Sequence, residues 1–226
     1  MKVSAIVPAY NEEKKIGHVL DTLTKCKSID EVICVNDGSS DKTAEIAKSY
    51  KKVVVIELPK NCGKAYAVMQ GVIQAKGDII LFIDADLVGL TASKINSLID
   101  PLKEDTHDAA IGYKLGSKFD IFFIPLGGER AYFKKDILPL AEHAKDKGFG
   151  LELYLNYAFK EKRVKLLGLR GVSHTLKHVK YSYRKAATNT VTEIVDIISE
   201  IFKQRNPVKF FIHAYLYPFY IKQRVK

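Results

Sequence analysis

The chain has 226 residues, of which 47% are hydrophobic and 27% charged. These proportions exclude a disordered or fibrous protein, and the length suffices for one domain with a sizeable core, with or without an appendage. The formal net charge of +10 suggests an anionic partner such as a nucleotide, a nucleic acid or a membrane.

The positive charge is concentrated at the C-terminal end. From residue 160 onwards there are 15 Lys and Arg residues against 4 Asp and Glu, whereas residues 1–159 are nearly neutral. Three cysteines without a CxxC spacing predict reduced, mostly buried thiols rather than disulfides or a zinc site. No apolar run reaches the ~18 residues of a membrane-spanning helix. We therefore expect a cytoplasmic protein, soluble or peripheral on the cytoplasmic membrane face.

Two hydrophobic periods alternate over the first hundred residues. Short β-branched runs predict buried strands at residues 3–7, 31–35, 53–57 and 79–83. Apolar residues at helical spacing predict helices between and after these strands, with Ile16, Val19, Leu20 and Leu23 on one face and Ile95, Leu98, Ile99 and Leu102 on another. This alternation predicts a parallel sheet, which binds ligands at the carboxyl ends of its strands.

The pattern is looser after residue 108. Strands are predicted at residues 109–113, 121–125 and 164–169, and helices at 136–147 and 151–159. A capping box at residues 190–193 predicts a further helix that ends at Asn206 and Pro207. No linker rich in Gly, Ser or Pro divides the chain into independent domains.

Four polar loops follow the first four predicted strands. They read PAYNEE at residues 8–13, NDGSSD at 36–41, PKNCGK at 59–64 and DAD at 84–86. Together, in this order, they resemble the motifs of the family 2 glycosyltransferases, which have the GT-A fold. In particular the chain is similar to the glucosyl-3-phosphoglycerate synthase and polyprenyl-phosphate glycosyltransferase groups.

The resemblance implies an α/β, Rossmann-like three-layer sandwich with a mostly parallel sheet. We expect a GT-A domain over residues 1–175, with a nucleotide-binding half at 1–90 and an acceptor half at 91–175. Residues 176–226 are then a basic, aromatic-rich helical extension.

Two carboxylates follow the fourth strand. Asp84 and Asp86 are separated only by Ala85, so their side chains can share a hard cation such as Mg²⁺ or Mn²⁺. Such a cation would bind a diphosphate and, as a Lewis acid, stabilise the departing nucleotide. Asp86 would have a catalytic role as a ligand of this cation. The alternative is a solvated turn. The resemblance adds His174 as a third metal ligand.

The first two loops are the predicted site for base and ribose. Asp37 could accept hydrogen bonds from either, although an Asx-turn with Asp41 capping the next helix explains the same residues. By resemblance, Pro8, Ala9, Tyr10, Glu12 and Ala85 also contact the nucleotide sugar.

Lys64 and Arg130 are the predicted cationic contacts to the donor. Lys64 is the only charged residue between Lys60 and Lys76, which suggests an inward role on base or phosphate, although a surface lysine fits as well. Ala65 follows it, so the Walker pattern and an ATPase are not indicated. Arg130 ends a GGER segment that resembles an acceptor-side loop and could present a guanidinium to a phosphate. The alternative is an ordinary loop with a surface ion pair.

Glu152 is the predicted general base. The resemblance places a carboxylate here, at the start of a helix, where it could deprotonate an acceptor hydroxyl. The usual Glu-Asp pair is absent, and Glu152 could instead orient the acceptor or cap the helix. Whether the anomeric configuration is inverted or retained stays open.

The basic C-terminal end permits three interpretations. Its lysines and arginines could close over the diphosphate or attract an anionic acceptor, its mixture of basic and aromatic residues suits a membrane surface, or it is a solvated appendage. Nucleic acid is not expected as a partner, because the aromatic residues match no nucleic-acid-binding motif.

The sequence therefore predicts a metal-dependent glycosyltransferase. It would move a sugar from a UDP- or GDP-sugar to an anionic or lipid-linked acceptor. The alternatives are a nucleotidyltransferase, a retaining transferase to a small phosphorylated acceptor such as phosphoglycerate, and a non-catalytic binding module. A nucleotidyltransferase is expected to carry a glycine-rich loop after its first strand, where this chain has PAYN.

Overall fold

The computed structural model describes residues 1–115 and 126–174, together with Asn206, Ile212 and His213. Strands and helices alternate through the first of these ranges. In chain order the elements are β1 (Val3–Ala9), α1 (Ile16–Lys25), β2 (Glu31–Asn36), α2 (Thr43–Ser49), β3 (Val53–Glu57), α3 (Lys64–Gln74), β4 (Ile79–Phe82), β5 (Leu87–Val88), α4 (Ala92–Lys103) and β6 (Ala109–Leu115). The second range adds β7 (Arg130–Phe133), α5 (Lys134–Ile137), α6 (Ala141–Ala144), α7 (Leu151–Ala158), β8 (Val164–Arg170) and β9 (Ser173–His174).

Seven of the strands form one mixed, mostly parallel sheet. Their order is β3-β2-β1-β4-β7-β6-β8. Strands β3, β2, β1 and β4 are parallel to one another, and β6 is parallel to β8, whereas β7 is antiparallel to both β4 and β6. A separate antiparallel pair joins β5 to β9, with Leu87 opposite His174.

Side chains alternate across this sheet, and helices cover both of its faces. Along β1, Val3, Ala5 and Val7 belong to one apolar cluster with residues of α1 and α4. Ile6 belongs to a second cluster with residues of α3 and α7. Since each face has its own buried core, the molecule is a three-layer α/β sandwich, as the sequence predicts.

The regular elements predicted for the first hundred residues are confirmed to within two residues at each strand end. The predicted helix at 136–147 is wrong as a single element, because a 3-10 turn at Leu138–Leu140 separates α5 from α6. Pro139 lies in this turn, and proline has no amide hydrogen to donate in a continuous helix. Strand β7 was not predicted, because the preceding glycine pair indicates a loop.

Several predicted elements lie outside the described residues. They are the strand at 121–125, the helix that begins at the capping box of residues 190–193, and nearly all of the extension at 176–226. His213 is described, and its ring lies 6.3 Å from that of Tyr157 on α7 in an edge-on arrangement. Within the described ranges, no helix combines the length and apolar character needed to cross a membrane.

Gly38, in the loop after β2, lies close to the backbone of the loop after β3. Its φ is +67°, and a Cβ atom there would lie 2.4 Å from the backbone of Lys60 and 2.6 Å from that of Asn61. Gly63 has a φ of +92° with nothing within 4 Å of the corresponding position, so it is a control for backbone strain alone.

We expect Gly38→Ala to lower the free energy of unfolding more than Gly63→Ala does. Strain at such φ values costs about 1–3 kcal/mol at either position, and the clash adds at least about 1 kcal/mol for Gly38. Urea unfolding of both variants measures the difference. Equal destabilisation would show that the two loops do not approach as described.

Candidate active site at the carboxyl edge of the sheet

The loops after β1 and β2 are joined by hydrogen bonds. Strands β1 and β2 end together, with Ala9 opposite Asn36. Beyond them, the amide of Asn11 donates to Ser39 Oγ at 3.0 Å, and the amide of Ser40 donates to Asn11 Oδ1 at 2.9 Å. The amide of Glu12 donates to Thr43 Oγ1 at 2.7 Å. The two loops therefore form one ordered edge above the sheet.

Asp41 has a structural role near the start of α2, although it is not the N-cap that the sequence suggests. Its carboxylate accepts from the amide of Thr43 at 2.9 Å, at the start of α2, and from the amide of Glu13 at 3.1 Å. Partial burial would raise the pKa of Asp41, but the hydrogen bonds from Thr43 and Glu13 outweigh it and lower that pKa. The N-cap position of α2 is Lys42, so Asp41 lies one residue before the cap and ties the first amide of α2 to the loop after β1.

Asp37 holds the loop that leads into α3. It is 3% exposed, and its two carboxylate oxygens accept from the amides of Cys62 at 2.7 Å and Gly63 at 2.9 Å. These contacts place the next residue, Lys64, at the start of α3. The expected contact of Asp37 with base or ribose stays a prediction, and the structure adds this positioning role to it.

The other residues expected to contact the nucleotide differ in what they expose. Tyr10 is 39% exposed at the edge, whereas Pro8 and Glu12 are half-buried. Ala9 and Ala85 are 2% and 3% exposed, so their methyl groups belong to the core. A contact between either alanine and a ligand would be made by its backbone.

A charged cluster joins three elements at this edge. Lys64 Nζ lies 2.8 Å from Asp84 Oδ1 and 3.1 Å from Glu152 Oε1. The three side chains are 27%, 20% and 11% exposed, respectively. Burial would lower the pKa of Lys64, but Asp84, Glu152 and Glu129 raise it above the ordinary lysine value. The ammonium group is therefore charged and points inward, and Glu152 lies beside the first of the two predicted metal-binding aspartates.

Gly128 packs directly against this cluster. A Cβ atom at Gly128 would lie 2.7 Å from Asp84 Oδ2 and 3.0 Å from Lys64 Nζ. A side chain would therefore displace the ion pair. The glycine lets the segment before β7 form one wall of the site.

The prediction that Arg130 presents its guanidinium to a phosphate from a loop is wrong. Arg130 begins β7 and is 1% exposed. Its Nε donates to the carbonyl of Gly127 at 2.5 Å, and its Nη1 donates to Asn156 Oδ1 at 2.8 Å and to the carbonyl of Glu152 at 3.3 Å. The guanidinium is directed into the protein because acceptors from two other segments surround it.

A family model described as glycosyl transferase family 2 matches residues 4–163, well over half of the chain. The chain belongs to glycosyl transferase family 2. This membership confirms the resemblance on which the four loops were interpreted, and it argues against the nucleotidyltransferase alternative.

Two curated proteins are similar to this family 2 chain over part of its length. The dolichyl-phosphate beta-glucosyltransferase of Trichomonas vaginalis is 40% identical over 97 residues, which cover 37% of this chain and 30% of that protein. The 4,4'-diaponeurosporenoate glycosyltransferase of Staphylococcus aureus is 40% identical over 102 residues, which cover 43% of this chain and 27% of that protein. The matches thus span less than a third of either relative.

A solved structure shares the fold. The glucosyl-3-phosphoglycerate synthase of Mycobacterium tuberculosis, crystallised with Mn²⁺, UDP and glucosyl-3-phosphoglycerate, superposes with a TM-score of 0.64 at 21% identity. The superposition covers 85% of this chain and 79% of that one. The GT-A-like architecture expected of a family 2 chain is therefore confirmed.

The predicted metal ligands come from two elements that meet. Asp84 and Asp86 lie between β4 and β5 and are both half-buried. The pairing of Leu87 with His174 brings the backbone of His174 beside that of the residue after Asp86. Among the residues whose side chains are described, no group of three His, Cys, Asp or Glu is arranged to hold a metal.

This arrangement nevertheless fits a divalent cation that binds together with its substrate. Mg²⁺ is usually held by one or two carboxylates together with substrate phosphates rather than by a cage of protein ligands. Asp84 and Asp86 supply such carboxylates at this edge. Their roles, and that of His174, stay predictions.

Asn156 is a buried polar residue of the site that belongs to none of the sequence motifs. It is 3% exposed and accepts from Arg130, one helical turn after Glu152 on α7. An amide four residues after a glutamate, in a helix otherwise rich in leucine and tyrosine, is a usable signal, since residues at this spacing share a helix face.

Proposed function

We propose that this chain is a metal-dependent glycosyltransferase that moves a sugar from a nucleoside diphosphate sugar to an anionic or lipid-linked acceptor. The observation that carries the proposal is the cluster of Lys64, Asp84 and Glu152 in a family 2 fold. It lies at the carboxyl edge of the parallel strands, where sheets of this kind bind their ligands.

The nucleotide is proposed to bind along the joined loops after β1 and β2. Tyr10 offers an exposed ring at that edge, and Asp37 offers the remaining lone pairs of its carboxylate. The diphosphate would then lie near the start of α3, where the ammonium group of Lys64 supplies positive charge. Either UDP or GDP fits this description.

The cation is proposed to be Mg²⁺ or Mn²⁺, held by Asp86 with Asp84 and His174. Carboxylate oxygens and an imidazole nitrogen suit these metals. When bound, the cation neutralises charge that develops on the leaving diphosphate. The mycobacterial synthase was crystallised with UDP and either metal, which supports the same dependence here.

Glu152 is proposed to act on the acceptor. A carboxylate at this edge can take the proton from an acceptor hydroxyl as the sugar is transferred, or hold that hydroxyl in place. Lys64 fixes one oxygen of this carboxylate at 3.1 Å. The position of the carboxylate is thereby set before an acceptor arrives.

The acceptor is proposed to be anionic or linked to a lipid. The two curated relatives are named for dolichyl phosphate and for 4,4'-diaponeurosporenoate, and the former is a phosphorylated lipid. The basic charge after residue 160 complements an anionic acceptor or an anionic lipid surface.

The proposed compartment is the cytoplasm, with peripheral contact to the membrane. Cys26 and Cys34 are buried free thiols and Cys62 is an exposed one. Burial raises the pKa of Cys34 to about 12, so this thiol stays protonated and unreactive. Free thiols are typical of a reducing compartment.

A donor screen tests the proposed function. Purified protein is incubated with Mn²⁺ and a panel of UDP- and GDP-sugars, with 3-phosphoglycerate, a polyprenyl phosphate or no acceptor, and nucleotide release is measured. We expect one donor to release its nucleotide faster when one acceptor is present. Asp86→Asn should lower this rate by about 100-fold or more, whereas Asp100→Asn, on the exposed side of α4, should not. The proposal fails if no donor reacts or if Asp86→Asn is fully active.

The membrane proposal has its own test. Truncation of residues 207–226 is expected to reduce pelleting of the protein with vesicles that contain anionic lipid, since basic residues add about 1 kcal/mol each near such a surface. Unchanged pelleting after truncation would contradict a membrane role for this segment.

A further inference from the structure

Arg130 connects two segments that form the walls of the candidate active site. Through Nε it holds the carbonyl of Gly127, directly before the Gly128 that packs on Asp84 and Lys64. Through Nη1 it holds the carbonyl of Glu152 and the side chain of Asn156 on α7.

The burial of this guanidinium is difficult to explain by stability alone. A cation that is 1% exposed has lost nearly all of its hydration, which is a large cost that its hydrogen bonds must offset. Well-packed apolar residues often stabilise a core as well as buried charged groups do. What an apolar residue cannot supply is a planar set of donors with fixed directions.

We propose that Arg130 is a positioning residue for glycosyl transfer, which fixes Glu152 and the Gly127–Gly128 segment relative to each other. The proposal rests on the proposed function of the site and adds a residue that acts on the reaction through Glu152. Glu152 is then held twice, at its side chain by Lys64 and at its backbone by Arg130.

The expected consequence is a large effect on turnover with a small effect on nucleotide binding. Displacement of a reacting group by about 1 Å can cost about 100-fold in rate. The nucleotide loops after β1 and β2 are held by their own hydrogen bonds, which do not involve Arg130. The ammonium group of lysine cannot replace the planar guanidinium with its directed N–H donors, so Arg130→Lys should behave much like Arg130→Met.

Arg163 provides the matched control. It also makes several hydrogen bonds, to Asp105 and Asp108, but its side chain is 53% exposed and the contacts lie where the α4–β6 connection meets β8. Arg163→Lys and Arg163→Met remove an arginine network of similar size that has no contact with Glu152 or Gly127 in the described part of the chain.

The first measurement is hydrogen–deuterium exchange of the full chain without ligand. In both Arg130 variants we expect exchange to rise about 10-fold or more at residues 126–129 and 151–157, and to stay unchanged in β1 and β2. The Arg163 variants should leave both segments unchanged. Unchanged exchange at the two segments, or a uniform rise across the whole sheet, would overturn the proposal.

The second measurement separates positioning from loss of folded protein. The protein is titrated with UDP in the presence of Mn²⁺, which gives the binding stoichiometry. Nucleotide release from UDP-glucose then gives the turnover of the same samples. GDP and GDP-mannose are used instead if the wild type prefers them. We expect Arg130→Met to keep the stoichiometry and affinity of the wild type within about threefold while turnover falls about 100-fold. If turnover falls only as much as the binding stoichiometry falls, the loss reflects unfolded protein and the proposal is overturned. If the wild type releases no nucleotide, the proposed function fails, and the exchange data still decide whether Arg130 holds the two segments.

Discussion

Replacing Lys64 by methionine is expected to lower turnover by about 100-fold or more, the usual effect of removing one charged group that stabilises a transition state. Its ammonium group is the positive centre of the cluster, within 3.1 Å of both Asp84 and Glu152. Without it, the carboxylates of Asp84 and Glu152 lose the positive charge that both contact, near the proposed diphosphate site. Steady-state kinetics of nucleotide release measure the loss.

The same variant should unfold more easily, and in a way that depends on pH. Because Lys64 and Asp84 are only half-buried, we expect a loss of about 1–3 kcal/mol rather than the larger cost of a fully buried pair. The folded pKa of Lys64 is raised above its ordinary value of 10.5. The stability that Lys64 contributes is therefore fully present below this value and is lost as the pH rises through the higher folded pKa.

Urea unfolding of wild type and Lys64→Met between pH 7 and 11 tests this dependence. The difference between them should be constant up to about pH 10 and shrink above it. Lys76→Met, at an exposed position after α3, is the control and should show no such difference. A Lys64→Met variant with wild-type turnover and stability would show that the cluster has no part in either.

Replacing Glu152 by glutamine is expected to lower turnover by about 100-fold to 10,000-fold, the range found for the removal of a general base. Glutamine keeps the shape of the side chain and the backbone contact to Arg130, but it cannot take a proton from an acceptor hydroxyl. Nucleotide binding should change much less than turnover, because the loops after β1 and β2 are held by hydrogen bonds that do not involve this side chain.

The control for Glu152 is Glu142→Gln on α6. Glu142 also pairs with a lysine, Lys145, but its side chain is 74% exposed. It should leave turnover unchanged. Full turnover in Glu152→Gln with normal nucleotide binding would contradict a role for Glu152 in the reaction and leave it as a structural partner of Lys64.

The N-terminal part of the fold could be predicted from local patterns. Runs of β-branched residues and apolar residues at helical spacing determine β1 to β4, α1 and α4. Since parallel strands end at one edge, the convergence of the polar loops follows without any knowledge of tertiary contacts. The inward direction of Lys64 is one of the two alternatives that the sequence indicates, because Lys64 is the only charged residue between Lys60 and Lys76.

The partners within the site could not be predicted in this way. The contact between Lys64 and Glu152 joins elements far apart in sequence, and periodicity carries no information about which elements meet. Arg130 follows two glycines, which indicate a loop, yet tertiary hydrogen bonds to Gly127 and Asn156 bury it at the start of a strand. Only these contacts show that the guanidinium of Arg130 binds groups inside the protein rather than a phosphate.

Calorimetric titration of the full chain with UDP and with GDP, with and without Mn²⁺, tests the central claim most directly. We predict that one of the two binds at a stoichiometry of one in the presence of Mn²⁺ and more weakly without it, and that Asp86→Asn abolishes the effect of the metal. If neither nucleotide binds in the presence of Mn²⁺, the proposed glycosyltransferase site does not exist.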